Sequence, residues 1–225
     1  MRTFVIGDIH GEIDKLKKLV EKLHPFPQDK LIFVGDYIDR GRYTKEVIDY
    51  LLELSNIHPC VFLKGNHEDM MLDACIPDYQ PSYPYNPASE LWKRNGGNHT
   101  MESYGLYDYN TCGKFWDKMP EKHKQFFLNL EMFHSLPEWY IVHAGLFDVE
   151  PEEEDPYVLL WTRYNRDPGQ YTLDKNLVYG HTPDKKGVYI ENRPQDVTMY
   201  GIDTGCGKKG DLTAFCLETR KSITV

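Results

Sequence analysis

Six side chains able to bind a cation sit where short apolar runs stop. Asp8 follows Phe4-Val5-Ile6-Gly7, Asp36 follows Leu31 to Gly35, and Asn66 follows Val61 to Gly65. His143 follows Tyr140-Ile141-Val142, and His181 follows Leu177 to Gly180. His10 lies two residues beyond Asp8, a spacing that lets both face one side of an extended segment. Oxygen and imidazole donors without thiolate suit Mn, Fe or Zn and exclude zinc-finger chemistry. Singly, a Gly-Asp or Gly-Asn pair is just a turn, and a lone histidine is ordinarily packed or solvated. Independent turns have no reason to place a ligand type after five runs in succession.

Elements of two kinds must position these residues. The runs are short and rich in β-branched and aromatic residues, so they read as buried strands. Between the early ones, Glu12 to Leu23 carries Ile13, Leu16, Leu19, Val20 and Leu23 at helical spacing, with Pro25 as the stop. Thr44 is expected to cap a second helix holding Val47, Ile48, Leu51, Leu52 and Leu54. Strand–helix–strand order predicts an α/β protein with a parallel region, and ligands of such sheets bind beyond the carboxyl ends of the strands. The stretch from Ile76 to about Leu130 differs. It opens with alternating proline and tyrosine, continues into helical patterns at Ser89 to Trp92 and Pro120 to Leu130, and reads as a mostly helical insertion. Its aromatics (Tyr83, Tyr85, Trp92, Tyr104, Tyr107, Tyr109) are read first as a small core and second as a substrate-recognising wall. The tail from Val188 alternates strand patterns and turns, with Leu212 to Leu217 as a strand.

Composition bounds the function. A chain of 225 residues suits one domain with an inserted subdomain at about 76–130. The formal net charge of -9 argues against general nucleic-acid binding, which needs clustered Lys and Arg. An anionic substrate must then be attracted by a local site, such as a bound metal pair. The five cysteines show no CxxC spacing and fit a reducing compartment. No run approaches the length that spans a bilayer, and Phe4 to Ile6 meets Gly7-Asp8 too soon to be a signal peptide. The expectation is a cytoplasmic protein without membrane partners; oligomeric state is not legible.

The ordered segments Gly7-Asp8-Ile9-His10-Gly11, Gly35-Asp36-Tyr37-Ile38-Asp39-Arg40-Gly41, Gly65-Asn66-His67-Glu68, His143-Ala144-Gly145 and Gly180-His181-Thr182 resemble the phosphoprotein phosphatase branch of the calcineurin-like metallophosphoesterases. The resemblance runs from Arg2 to at least Asp203. Asn95-Gly96-Gly97 and Leu160-Trp161-Thr162-Arg163 are similar to patterns in the compact bacterial and phage phosphatases and the symmetrical dinucleoside tetraphosphatases. It implies a sandwich of two mixed β-sheets flanked by helices. It also implies two divalent metal ions, Mn first with Fe or Zn as alternatives: Asp8, His10 and Asp36 hold one, and Asp36, Asn66, His143 and His181 the other. His67 is implied as general acid oriented by Asp39, and Arg40 and Arg163 as grips on the phosphoryl oxygens. The implied reaction is phosphomonoester hydrolysis by direct attack of a metal-bridging hydroxide. Phosphoserine or phosphothreonine in proteins, or a small phosphate ester, is the first substrate, and symmetrical hydrolysis of a dinucleoside tetraphosphate is the alternative. A non-catalytic, metal-stabilised binding module would need the ligands but not His67, Asp39, Arg40 or Arg163.

Other features carry less. Gly205-Cys206-Gly207-Lys208-Lys209-Gly210 matches GxGxxG, but the strand expected after it excludes a dinucleotide loop, which must open a helix. It reads as a hairpin loop bordering the site. Asp203 is read either as support for a ligating histidine or as a turn residue. Glu68 is read as a helix cap or site support, and Glu152-Glu153-Glu154-Asp155 as a solvated loop. His24, His58, His99, His123 and His134 belong to no motif.

Overall fold

The computed structural model describes residues 1–85, 87–106, 112–164 and 171–225. Strand β1 (Thr3–Ile6) pairs in parallel with β2 (Lys30–Phe33), and β2 in parallel with β3 (Cys60–Phe62). The crossovers are helices α1 (Ile13–Leu23) and α2 (Thr44–Ser55). Helix α1 buries Ile13, Leu16, Leu19 and Leu23 on one face and ends at His24, which is left-handed at φ 42° ahead of Pro25. Contrary to the sequence expectation, Thr44 does not cap α2. It is the first helical residue, and its buried hydroxyl lies 3.3 Å from Thr100 Oγ1.

The first sheet is completed by β9 (Thr213–Cys216), antiparallel to β1, and β10 (Lys221–Thr224) on its edge. The second contains β4 (Phe133–Leu136), β5 (Trp139–Val142), β6 (Asn176–Tyr179), β7 (Tyr189–Asn192) and β8 (Thr198–Gly201), in the order β4-β5-β6-β8-β7. Its three central strands are parallel and its edges antiparallel, so both sheets are mixed. The sheets meet through Val5, Ile32, Val34 and Phe215 on one side and Trp139, Ile141, Val178 and Tyr200 on the other. Alternation along each strand sends Phe4, Ile6, Leu31 and Phe33 outward under α1 and α2. In the second sheet it sends Tyr140, Val142, Leu177, Tyr179 and Met199 toward helix α8 (Pro156–Trp161). The result is the α/β sandwich of two mixed sheets flanked by helices. Half of the acidic run is structural, not merely solvated: Asp155 caps α8 by accepting the Tyr157 N–H, and Glu154 accepts the Phe147 N–H.

Helices α3 (Asn66–Cys75), α4 (Ala88–Arg94), α5 (Gly97–Ser103), α6 (Cys112–Lys118) and α7 (Glu121–Leu128) lie between β3 and β4. The two patterns seen in the sequence are α4 and α7. Helices α5 and α6 escape notice because each is only seven residues long and carries glycine within its first two positions. Trp92, Met101, Phe115 and Phe127 are buried in the same contiguous core as Phe4, Leu16 and Leu51, so these helices pack onto the first sheet's side of the molecule. Tyr107 and Tyr109 lie outside the described residues. Among the described residues, no helix is long and apolar enough to cross a membrane. All five cysteines are free thiols.

One buried carboxylate ties the start of β1 to β2. Asp29 accepts the Arg2 N–H (2.7 Å), Arg2 Nε–H (2.9 Å), Arg2 Nη2–H (2.7 Å) and Phe26 N–H (3.0 Å). Burial opposes its charge, but these donors and the guanidinium hold the carboxyl below its ordinary value. A depressed folded-state pKa gives stability that is present above the unfolded value, about 3.9, and is lost as pH falls through the folded value. Asp29→Ala is therefore expected to cost about 2 kcal/mol near neutrality, measured by urea unfolding. The gap from the wild-type chain should narrow below about pH 4; a gap of constant size across that range would show that the carboxylate's charge contributes nothing.

Candidate metal centre and acid–base pair

The six expected donors converge on one end of the sandwich, where β1, β2, β5 and β6 stop and α3 begins. Asp36 is at the centre. Its Oδ2 lies 3.4 Å from His10 Nε2 and 3.8 Å from His67 Nε2, its Oδ1 lies 3.5 Å from His143 Nε2, and Oδ1 accepts the His67 backbone N–H at 3.1 Å. Asn66 Oδ1 lies 3.2 Å from His143 Nε2 and 3.1 Å from His181 Nδ1. Asp8, buried beside this set, accepts the His181 N–H at 3.1 and 3.2 Å. Two groups have donor atoms mutually within 4.8 Å: His10, Asp36 and His67, and Asp36, His143 and His181. Asp8 stands outside both groups and His67 inside one, while Asn66 Oδ1 lies against His143 and His181 of the second.

The hydrogen bonds test whether a cation fits. His10 Nδ1 lies 2.9 Å from the Ile38 carbonyl and His143 Nδ1 2.8 Å from the Val34 carbonyl. A carbonyl only accepts, so each Nδ1 carries the proton and each Nε2 presents a lone pair. At His143 that lone pair faces two further acceptors, Asp36 Oδ1 and Asn66 Oδ1. The buried His181 Nε2 has no hydrogen-bond partner among the described residues. Burial lowers the pKa of His10, His143 and His181, which favours neutral imidazoles. Burial works against the Asp36 charge too, but His67, His143, His10 and Arg40 hold its carboxyl far below the ordinary range. A buried carboxylate ringed by imidazole lone pairs and an amide oxygen is a set of acceptors short of a positive partner, and divalent cations fit it.

Beside the donors sits a second constellation. His67 Nδ1–H donates to Asp39 Oδ2 at 2.6 Å, leaving Nε2 directed toward Asp36 and Arg40 Nη2, the latter at 2.9 Å. Arg40 Nη1 also meets His10 Nε2. Arg163 Nη1 donates to the His181 carbonyl at 3.0 Å, so it braces the turn that carries His181. Lys208, in the glycine-rich loop, has its pKa lowered by burial and by the nearby charges of Arg40 and Arg163. Three cations thus gather at one end of a chain whose formal charge is -9.

Several supporting residues are illegible in sequence. Trp92 Nε1–H donates to Asp39 Oδ1 at 3.0 Å, and Thr100 Oγ1–H donates to the same oxygen at 2.6 Å while accepting the Asp39 N–H at 2.9 Å. His99 Nδ1–H donates to the Arg40 carbonyl at 2.6 Å. Gly96 (φ 106°) lies against Arg40, where a Cβ would come within 2.7 Å of its backbone nitrogen. Asn95-Gly96-Gly97 therefore belongs to a clamp on Asp39-Arg40. Glu68 accepts four N–H groups, from Gly65, Asp36, Tyr37 and Ile38, so it both caps α3 and fixes the Asp36 turn. Asp203 accepts the Gly205 N–H at 2.8 Å, the turn role. Burial, with Asp36 adding to it, pushes its carboxyl up to about 6 against the pull of that N–H. The glycine-rich loop does border the site: a Cβ on Gly207 would come within 2.5 Å of His10 Cβ.

Fold and site define a calcineurin-like phosphoesterase, and the chain belongs to that family, whose pattern matches residues 1–206. It is similar to the bis(5'-nucleosyl)-tetraphosphatase PrpE [asymmetrical] of Anoxybacillus flavithermus, 26% identical over 98% of this chain and 92% of that protein. In structure it resembles a candidate diadenosine tetraphosphatase, with a TM-score of 0.69, 18% identity, and coverage of 100% of this chain and 92% of that one. It also resembles a protein serine/threonine phosphatase from Saccharomyces cerevisiae, with a TM-score of 0.63, 15% identity, and coverage of 100% and 79%.

If Thr100 orients Asp39, the isosteric Thr100→Val should lower kcat on a chromogenic phosphate ester by about 10–100-fold, the range for losing an outer-shell partner. Thr100→Ser should recover most of it. Full activity in the valine variant would show that Trp92 alone suffices to hold Asp39.

Proposed function

We propose that this chain is a metal-dependent hydrolase of nucleoside polyphosphates, dinucleoside tetraphosphates first. The observation that carries the hydrolytic part is the Asp36-centred donor set beside the Asp39–His67 pair. The substrate part is supported by the near-full-length similarity to a protein named as an asymmetrical dinucleoside tetraphosphatase. Phosphoserine or phosphothreonine in proteins is the second reading. A positioned acid matters most for an alkoxide leaving group, which must be protonated to depart, and less for a phosphate.

Asp8, His10 and Asp36 would hold one divalent cation and Asp36, Asn66, His143 and His181 the other, Mn first with Fe or Zn as alternatives. Such a pair supplies Lewis-acid charge at the phosphoryl oxygens and lowers the pKa of water from about 15.7 toward roughly 7. The chain's own residues do the rest. His67 delivers a proton from Nε2 to the leaving oxygen, while Asp39 fixes the ring and stabilises its charged form. Arg40 and Arg163 receive the phosphoryl oxygens, guanidinium being the planar donor that matches them.

Diadenosine tetraphosphate and a phosphoserine peptide, assayed side by side with Mn²⁺-loaded protein, decide between the readings. A kcat/KM preference for the dinucleotide with AMP and ATP as products is expected; a preference for the peptide reverses the order. His67→Asn should lower kcat by ~10²–10⁴-fold with metal content unchanged by elemental analysis. Asp36→Asn should lower the content of both metals, and full occupancy there contradicts a shared ligand.

A further inference from the structure

On the outer face of the second sheet, a cavity of about 220 Å³ is lined by Tyr164, Tyr179, Thr182, Pro183, Asp184 and Tyr189. It touches the site through three short links. Tyr164 follows Arg163, Thr182 follows His181, and the Asp184 N–H donates to the carbonyl of Asp203 at 2.9 Å. Its volume falls below the roughly 300–1,000 Å³ of a site enclosing a whole drug-sized ligand, so it suits one ring system of a larger substrate. The lining is matched to a ring with polar edges. Tyr164 and Tyr179 stand edge to face at 5.0 Å, and Tyr189, on edge strand β7, is the exposed ring at 43%. Among the polar atoms, Thr182 Oγ1 is buried without a hydrogen-bond partner among the described residues, and Asp184 contributes a carboxylate whose Oδ1 accepts the Lys186 N–H. A buried hydroxyl left unsatisfied is costly and calls for a partner.

We propose that this cleft takes the nucleobase of the substrate, with the tyrosine rings against its faces and Thr182 and Asp184 on its polar edge. The inference rests on the nucleoside-polyphosphate reading above. Carboxylate and hydroxyl acceptors suit the exocyclic amino group of a purine, and base–aromatic stacking accepts any base by its π-face. The neighbouring cations then hold the phosphate chain while the cleft fixes one end, which sets the scissile bond by its distance from the base.

The test compares binding of AMP with ribose 5-phosphate, which has the same phosphate and no base, by calorimetry in Mn²⁺ buffer. Wild-type protein should bind AMP at least about fivefold more tightly, the lower end of what stacking on an aromatic side chain gives. Tyr189→Ala, a change on an exposed edge, and Thr182→Val should each shrink that ratio and leave ribose 5-phosphate binding unchanged. Equal affinities in the wild-type protein overturn the proposal, as does a ratio that survives both substitutions. A chain that discriminates AMP but does not cleave diadenosine tetraphosphate keeps the cleft and loses the substrate reading. Cleavage without discrimination does the reverse.

Discussion

The charge of Asp36, buried at the meeting point of two sheets, is the interaction on which the rest of the site depends. An isolated carboxylate in such a place is strongly disfavoured unless positive or donor groups surround it. Here the chain compensates only in part. The His67 N–H is bonded to Oδ1 and the Arg40 guanidinium is nearby, whereas the three imidazole Nε2 atoms at 3.4 to 3.8 Å include the His10 and His143 lone pairs, which leave the balance to a cation. Two of those imidazoles have their other nitrogen committed to the main-chain carbonyls of Ile38 and Val34, so their tautomers are set by the fold rather than by solvent. Removing either of those carbonyl bonds would let a ring turn and present a proton where a lone pair is needed.

Placing such side chains at the ends of strands requires sharp local turns. His10, Asp36, Asp39, Arg40 and His181 all have positive φ, from 50 to 68°. Asp and His tolerate that region better than most residues; Arg40 does not share the advantage. Each such conformation persists only where its surroundings over-determine it. The surroundings are visible: Glu68 holds three successive N–H groups of the Asp36 turn, Thr100 holds the Asp39 N–H, and His99 holds the Arg40 carbonyl. Close approach of Gly96 to Arg40 and of Gly207 to His10 leaves no room for a side chain at either glycine. Rigidity of this kind keeps donors pre-organised, so little reorganisation is needed as charge develops.

Strands were legible because burial on both faces writes itself as an unbroken apolar run, and the donors because each run ends in one. Asp8, Asp36, Asn66, His143 and His181 mark five such ends. What the sequence could not convey was contact across distance. Trp92 and Thr100 are 53 and 61 residues from Asp39, and nothing in their neighbours marks one as a donor to that carboxylate rather than a core residue. Helices α5 and α6 lacked the length for a periodicity to emerge. Thr44 has the right type for a cap, but burial against Thr100 outweighs local preference. The positive φ values leave a trace only at glycines, so the strain carried by Asp39 and Arg40 was invisible.

These contacts divide the site into two parts of different origin. The cation donors stand on strand ends and the first turn of α3, so the sandwich itself fixes them. The Asp39–His67 pair and Arg40 are held from the other side, by Trp92, His99 and Thr100 of the segment between β3 and β4. A change in that segment can therefore shift the Asp39–His67 pair without disturbing the donors. That separation is in keeping with a fold shared by proteins named for different phosphate substrates, since a fold does not by itself fix what is admitted. By the same logic, the specificity proposed for this chain rests on residues outside the donor set, in the tyrosine-lined cleft beyond His181 and the clamp on Asp39-Arg40.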